Sequence, residues 1–360
     1  MKIAAFNAKN LGLKKVTDKT VIRYLTKIMC QYSVVVILEV VDKSGKAMEK
    51  LLQELNTGSN KKHSYSMIAS RQLGRDTYKE QFVCFYRKNE VTLKACYQYE
   101  DNQLGDEDAF AREPFSLRFS CPTTVVKDLV LIPVHTKPED SLKELDELDD
   151  VVNAVRKKWE TDNIMILGDF NADGRYLSKK KKGEIRIHSA PYHWLIDDDV
   201  DTTSSNKNDN TYDRIVVYGQ TMLDAIVPSS AKSFNFQKAF KLTDEQTLSI
   251  SDHYPVEVEL KTGQKQKAPR QKRTETKSTK GQTQRKGNCC LTLLCLYDTV
   301  FFFAYFSFVQ CHSNTNRTTE EEGEHNRITE EDCDNEKKER RDIKHTGQEK
   351  TFGQMKQPDC

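Results

Sequence analysis

The chain has 360 residues, of which 56 are Lys or Arg and 54 are Asp or Glu, for a formal charge of +2 at neutral pH. That balance excludes a uniformly basic or acidic chain, so attraction to a polyanion must come from local clusters. The part with apolar patterning ends near Leu260, close to the roughly 250–300 residues at which a single core stops growing, which argues for one large domain rather than two.

In chain order, Ile3-Ala4-Ala5-Phe6 leads to Asn7, Val34-Val35-Val36-Ile37-Leu38 to Glu39, Leu129 to Val134 to His135, and Ile164-Met165-Ile166-Leu167-Gly168 to Asp169 and Asn171. Short continuous apolar runs read as buried strands, and polar residues at their ends project from a sheet rim into a common cleft. Pro138 to Trp159 predicts the clearest helix. Leu142, Leu145, Leu148, Val152, Val155 and Trp159 recur at helical spacing, and the acidic start Glu139-Asp140 and basic end Arg156-Lys157-Lys158 suit the helix dipole. The runs together predict roughly ten strands with two or three helices. Ser251-Asp252-His253 closes the series.

These are the residue types that phosphodiester hydrolysis needs. The reaction requires a hard divalent cation on the non-bridging oxygens, a base for the attacking water and an acid for the departing alkoxide. Glu39 and Asp169 suit the cation, since Mg2+ prefers one or two carboxylates plus waters and the substrate phosphate. Asn7 and Asn171 can orient phosphate or water without adding charge. His135 and His253 are the acid/base candidates, because imidazole titrates nearest neutrality. Each needs a carboxylate on its second nitrogen, and the acids near strand ends suggest pairing Glu80 with His135 and Asp213 with His253. His63, His188 and His193 lack such context and read as surface or packing residues.

Longer segments carry a resemblance: Ile3 to Asn7, Leu73-Gly74-Arg75-Asp76-Thr77-Tyr78-Lys79-Glu80, Arg112-Glu113-Pro114-Phe115, Gly168-Asp169-Phe170-Asn171-Ala172-Asp173, Tyr212-Asp213-Arg214-Ile215-Val216-Val217 and Ser251 to Val258. Over Lys2 to about Leu260 the chain resembles the deoxyribonuclease I family, and Gly105 to Phe110 and Phe234 to Ala239 look closer to its DNase gamma-like branch. The strand-ending Glu, Gly-Asp-x-Asn and Ser-Asp-His elements alone mark only the wider endonuclease/exonuclease/phosphatase superfamily. The resemblance implies an α/β four-layer sandwich, two stacked mixed sheets flanked by helices. It implies a monomeric, Mg2+-dependent endonuclease, with Mn2+ able to substitute and Ca2+ as an accessory ion. Its substrate would be double-stranded DNA, cut with little sequence preference to 5'-phosphate and 3'-hydroxyl ends. By the same resemblance the acid/base groups fall on Glu80, His135, Asp213 and His253, and the metal and phosphate groups on Asn7, Glu39, Asp169, Asn171 and Asp252. DNA contacts fall on Lys9, Tyr78 and Arg112.

The chain departs from the family in several places. Val41 stands where a basic residue is common and Asp76 where Asn is usual, and both changes remove attraction to DNA, so weaker binding with intact chemistry is expected. The family's cysteine pair falls on Gly174 and Asn210, so that disulfide cannot form, and Cys30, Cys84, Cys96 and Cys121 read as buried thiols. Met1 leads straight into the first strand without a leader of signal-peptide type. Together with the missing disulfide, this gives the expectation of a reducing compartment, nucleus or cytoplasm/ER-associated, against secretion if an N-terminal segment is absent from the sequence. Asp201 and Thr203 resemble part of a family calcium loop. Lys179 to Lys182 is a basic run that reads either as a phosphate track or as a solvated loop.

After Leu260 the composition changes. Lys261 to Lys286 holds ten Lys or Arg and one acidic residue, a basic linker (261–288) that cannot form a core. The apolar segment 289–311 approaches the ~20 residues of a membrane span, and Asp298 within it costs about 2.5–3.5 kcal/mol if central. Membrane association through this segment and read-through of non-coding sequence are both open readings, followed by a polar tail (312–360). A sphingomyelinase, an abasic-site endonuclease or an inactive nucleic-acid-binding homologue are the competing functions.

Overall fold

The computed structural model describes residues 1–57, 64–101, 108–205 and 209–263. The chain divides into two units, one of them Arg270–Gln357, which lies wholly outside the described residues. The expectations for His63, the basic linker beyond 263, the apolar segment and the tail therefore fall outside them. Among the described residues no helix is long and apolar enough to cross a membrane.

Twelve strands form two six-stranded sheets. In one the order is β11 (Lys232–Ser233), β12 (Val256–Glu259), β1 (Lys2–Leu11), β2 (Val34–Val40), β4 (Gln81–Arg87) and β3 (Tyr65–Ala69). In the other it is β5 (Thr92–Gln98), β6 (Phe115–Ser120), β7 (Asp128–His135), β8 (Ile164–Asp169), β10 (Asp213–Tyr218) and β9 (Tyr192–Trp194). Each sheet is built around one parallel pair, β1 with β2 and β7 with β8, flanked by antiparallel neighbours. A parallel pair needs a crossover. The helices α1 (Leu13–Thr17) and α2 (Lys19–Met29) supply the first, and α4 (Ser141–Trp159) the second.

The apolar runs are continuous because these central strands are buried on both faces. Ile3 and Ala5 of β1 point between the sheets with Met165 and Leu167 of β8, whereas Ala4 and Phe6 pack under α2 and α3 (Lys46–Leu55). On the far side Ile164 and Ile166 meet Leu145, Leu148, Val152 and Val155 of α4. The helix predicted over 138–159 is present, with Pro138–Asp140 as a 3-10 turn before α4. The structure has more elements than the periodicity suggested. The additions are the two- and three-residue strands β11 and β9 and the short helices α1, α5 (Lys179–Lys182), α6 (Gly219–Ala225), α7 (Phe236–Phe240) and α8 (Asp244–Ile250), none long enough to show a helical or alternating pattern.

One glycine fixes the rim geometry. Val134 pairs with Gly168 and His135 with Asp169 across β7 and β8. Gly168 has φ 144°, and a Cβ there would lie 2.0 Å from the Val134 carbonyl oxygen. Only glycine permits both the backbone angle and the approach. Gly168→Ala is expected to destabilise the domain by about 2–3 kcal/mol or more, read as a lowered urea midpoint, and an unchanged midpoint would show that β7 and β8 can part without cost.

Candidate active site

The polar side chains converge because the two sheets bring to a common rim the later parts of β1, β2, β7 and β8 and the starts of β4, β10 and β12. Glu39, His135 and Asp169 sit at or next to strand ends, Asn7 lies within β1 where its regular pairing with β2 breaks, Asp213 opens β10, Glu80 precedes β4, and Asp252 and His253 precede β12. Among the described residues, four of the eight non-glycine residues with positive φ are here, Lys9 (42°), Asn10 (50°), Glu39 (54°) and Asn171 (47°), which marks this rim as a place where the fold accepts backbone strain. The pairing of β1 with β2 shifts register between Asn7 and Leu11, and that of β2 with β4 between Ile37 and Val40. Such bulges re-aim side chains, and here they turn Glu39 toward Asn7.

Both expected dyads are formed. His135 Nδ1 lies 2.5 Å from Glu80 Oε1, and His253 Nδ1 lies 2.7 Å from Asp213 Oδ2. With Nδ1 committed, each ring presents Nε2 to the same carboxylate oxygen, Asp169 Oδ2, at 3.7 Å for His135 and 3.8 Å for His253. Burial opposes a charged His253, but Asp213 and Asp169 outweigh it and push the imidazole up to about 10. Burial in turn raises Asp213 to about 6. For His135, burial is outweighed by Glu80, and Arg112 opposes the rise. The dyads thus differ in one respect: the Arg112 Nε donates to Glu80 Oε1 at 2.8 Å and helps to hold that carboxyl below its usual range, against the opposing effect of burial.

The residues present fit a hard divalent cation. Asn7 Nδ2 bridges Glu39 Oε1 at 2.8 Å and Asp169 Oδ2 at 3.0 Å, so two carboxylates are gathered around one neutral amide. An oxygen-rich, net-negative pocket of this kind suits Mg2+. Asp169, Asp213 and His253 also offer three ligand atoms within 4.8 Å of one another, but a metal taking all three would compete with the bond between Asp213 and His253. Glu39 with Asp169 is the seat that leaves both dyads whole. Asp252 is drawn to Lys9, whose Nζ lies 2.5 Å from its Oδ2. Asn171 donates its Nδ2 to the Thr136 carbonyl and its backbone N to Asp169 Oδ1, each at 3.0 Å.

Of the expected DNA contacts, Lys9 and Tyr78 are exposed beside the cleft at 45% each. Arg112 is mostly buried and also donates to the His135 carbonyl. Sequence reading missed the supports. Asn10 donates its backbone N to Glu39 Oε2 and accepts from the Tyr78 hydroxyl, both at 3.0 Å. Thr202 Oγ1 accepts from the backbone of Tyr212 and Asp213. Glu144, buried on the first turn of α4, accepts through Oε1 from Lys137 N at 3.1 Å and Ala111 N at 3.3 Å, tying the segment before Arg112 to that after His135. The helical stripe gave a hint, since an acid there interrupts an inward-facing row.

The positions of the absent disulfide are adjacent: a Cβ on Gly174 would meet Asn210 Oδ1 at 2.8 Å. Hydrogen bonds join the two loops instead. Asp173 Oδ2 accepts from Thr211 N at 2.9 Å, and the fully buried Arg214 donates to the carbonyls of Ala172, Ile196 and Thr211 and to Asp198. Of the four domain cysteines expected to be buried, Cys84 and Cys121 are, whereas Cys30 and Cys96 are only half-buried. The Lys179 to Lys182 run is not a uniform track, because Lys182 is buried against Trp194 and paired with Asp198. Asp201 Oδ1 accepts from the Thr203 backbone and hydroxyl at 2.9 and 2.8 Å, and the following residues 206–208 lie outside the described ones. His188 is exposed and meets Trp194 edge to face, with ring centroids 5.3 Å apart.

Comparison with known proteins agrees with this geometry. A family described as "Endonuclease/Exonuclease/phosphatase family" matches residues 4–253. The chain is 40% identical to deoxyribonuclease gamma of Homo sapiens over 287 residues, covering 79% of this chain and 91% of that protein. It is 43% identical to human deoxyribonuclease-1-like 1 (73% and 85% covered) and 42% identical to deoxyribonuclease-1 of Oryctolagus cuniculus (72% and 92% covered).

Two outcomes are expected. Burial pushes Glu144 from 4.5 to about 7, only partly offset by its two backbone donors and by Arg112 and Arg75. Between these values the folded chain holds a proton that the unfolded chain has lost, so stability falls as pH rises through this window. Glu144→Gln keeps the Oε1 acceptor, and its stability relative to wild type should improve by on the order of 2–3 kcal/mol from pH 4.5 to pH 8. A pH-independent difference in urea unfolding would contradict this. Thiol reductant should leave the melting temperature and activity of the domain unchanged, since hydrogen bonds rather than a disulfide join the 172–174 and 210–211 loops.

Proposed function

The chain belongs to the deoxyribonuclease I-like group of the Endonuclease/Exonuclease/phosphatase family, and from that membership we propose that it is a divalent-metal-dependent endonuclease acting on double-stranded DNA. It would cut with little sequence preference and leave 5'-phosphate and 3'-hydroxyl ends. The observation that supports this most directly is the pair of carboxylate–imidazole dyads whose Nε2 atoms both face Asp169, beside the cluster of Asn7, Glu39 and Asp169.

Mg2+, or Mn2+ in its place, held by Glu39 and Asp169 would act as a Lewis acid on the non-bridging phosphate oxygens. Asn171 orients the phosphate and stabilises the charge that it gains in the transition state, while Asn7, which gives its amide hydrogens to Glu39 and Asp169, holds those two carboxylates together. Nε2 of one imidazole accepts the proton of the attacking water, and Nε2 of the other gives a proton to the departing 3'-oxygen. Glu80 and Asp213 hold the Nδ1 side of each ring, fixing tautomer and orientation through the exchange. Lys9 and Tyr78 meet the DNA beside the cleft, while Arg112 reaches it from its position on Glu80. The absence of a cation at Val41 and the acid at Asp76 weaken that contact without touching the proton path. The polar join at Gly174 and Asn210 suits a reducing compartment, nucleus or cytoplasm, and action as a monomer.

Supercoiled plasmid tests the reading. Wild-type protein with Mg2+ should nick it and chelator should stop the reaction. His135→Ala and His253→Ala should each lower the rate by about 10²–10⁴-fold, with DNA binding retained. Intact plasmid with wild type in Mg2+, Mn2+ and added Ca2+, together with hydrolysis of sphingomyelin or of an abasic site, would move the assignment to another phosphodiesterase of the same superfamily.

A further inference from the structure

Lys15 lies on α1, outside the rim, yet its ammonium is wholly committed to it. Lysine has three donors, and Nζ places them on the carbonyls of Ala8 at 2.8 Å, Lys9 at 2.8 Å and Ile250 at 2.6 Å. The first two carbonyls directly follow Asn7, and the third directly precedes Ser251. A second joint runs beside it: Ser251 Oγ donates to the Asn7 carbonyl at 2.6 Å and accepts from His253 N at 3.1 Å. The end of β1, which carries the amide between Glu39 and Asp169, is thereby fastened to the loop that carries Asp252 and His253, 244 positions apart in sequence.

We propose that Lys15 is a positioning residue for the hydrolysis, holding the metal-side and proton-transfer halves of the site in register and keeping the left-handed turn at Lys9 and Asn10. The inference rests on the proposed nuclease activity and adds to it a residue that contacts neither substrate nor metal ligand. Two consecutive non-glycine residues with positive φ, 42° at Lys9 and 50° at Asn10, cost about 1–2 kcal/mol each against the ordinary helical region. Something must hold that turn, and Lys15 holds the carbonyl of its first residue while Glu39 holds the amide of its second. Burial pulls Lys15 down to about 8, opposed by Asp252 and Glu39, whose charges keep the ammonium form predominant at neutral pH. The turn in turn sets Lys9 beside Asp252 and Asn10 beside Tyr78.

The test compares full-length Lys15→Met, which keeps length and loses charge and donors, with Lys15→Arg, which keeps both. Plasmid cleavage at saturating Mg2+ would be measured alongside thermal melting and hydrogen exchange. In Lys15→Met, kcat is expected to fall about 10–100-fold, with KM for DNA within about threefold of wild type. Melting should remain cooperative, exchange should speed up at residues 8–10 and 250–253, and Lys15→Arg should regain most of kcat. A kcat within twofold of wild type in Lys15→Met overturns the proposal. So does an equal loss in both variants that follows a fall in melting temperature. If wild type cuts no DNA, the nuclease reading fails by itself, and exchange decides the staple: faster exchange confined to those two segments supports it, and unchanged exchange overturns it.

Discussion

The structure depends on the placement of one buried carboxylate. Asp169 is paired in register with His135 on β7 and with Asp213 on β10, while the Asn7 amide approaches it from the other sheet. Adjacent strands lie about 4.8 Å apart, so His135 and Asp213 reach Asp169 by backbone register alone. The approach requires Gly168 at the preceding position, where any side chain would strike the Val134 carbonyl. Sheet geometry and site geometry are therefore the same constraint.

A carboxylate buried among other carboxylates is unstable unless cations or protons answer it. The fold supplies protons through His135 and His253, and a guanidinium through Arg112 on Glu80. Glu39 and Asp169 are bridged by the neutral Asn7 amide, with His135 Nε2 3.9 and 3.7 Å from them, and a divalent ion would answer the charge of this carboxylate pair. The surrounding supports are mostly hydrogen bonds between backbone and polar side chains: Glu144 and Thr202 accept under the His135 loop and Asp213, Ser251 accepts from His253, and Arg214 and Lys15 donate to the carbonyls of Thr211 and Ile250. Beside Gly174 and Asn210, where the resemblance led to the expectation of a missing disulfide, Asp173, Thr211 and Arg214 join the loops with polar contacts.

Much of the site was legible in the sequence because the central strands are buried on both faces. A run such as Ile164 to Leu167 has a sharp polar end, and that end is where the chemistry sits. The dyad pairing was legible because a buried imidazole needs a carboxylate and few acids stand near strand ends. Asn10, Thr202, Glu144 and Lys15 were not legible. Thr202, Glu144 and Lys15 act on backbone atoms, which carry no residue-type signal, and Asn10 acts through its own backbone N and through a contact with Tyr78 that is 68 positions away. Arg112 was read as a DNA contact from the resemblance, and its bond to Glu80 emerged only from the packing. The short elements α5 to α8, β9 and β11 escaped because four to seven residues, or two or three, cannot express a period.

The sequence by itself determined the strand-forming runs and the helix over 138–159 and picked out the candidate acid/base and carboxylate groups, because these follow from hydrophobic periodicity and from the chemistry that each side chain can perform, while the family was legible through the resemblance carried by its longer segments. Only the tertiary structure decided that both imidazoles face the same oxygen of Asp169, that Lys182 is withdrawn into the core, that Lys9 rests on Asp252, and that Lys15 joins β1 to the 250–253 loop. Those outcomes are set by register, left-handed turns and the demand that every buried donor and acceptor find a partner, none of which is a local property of the chain.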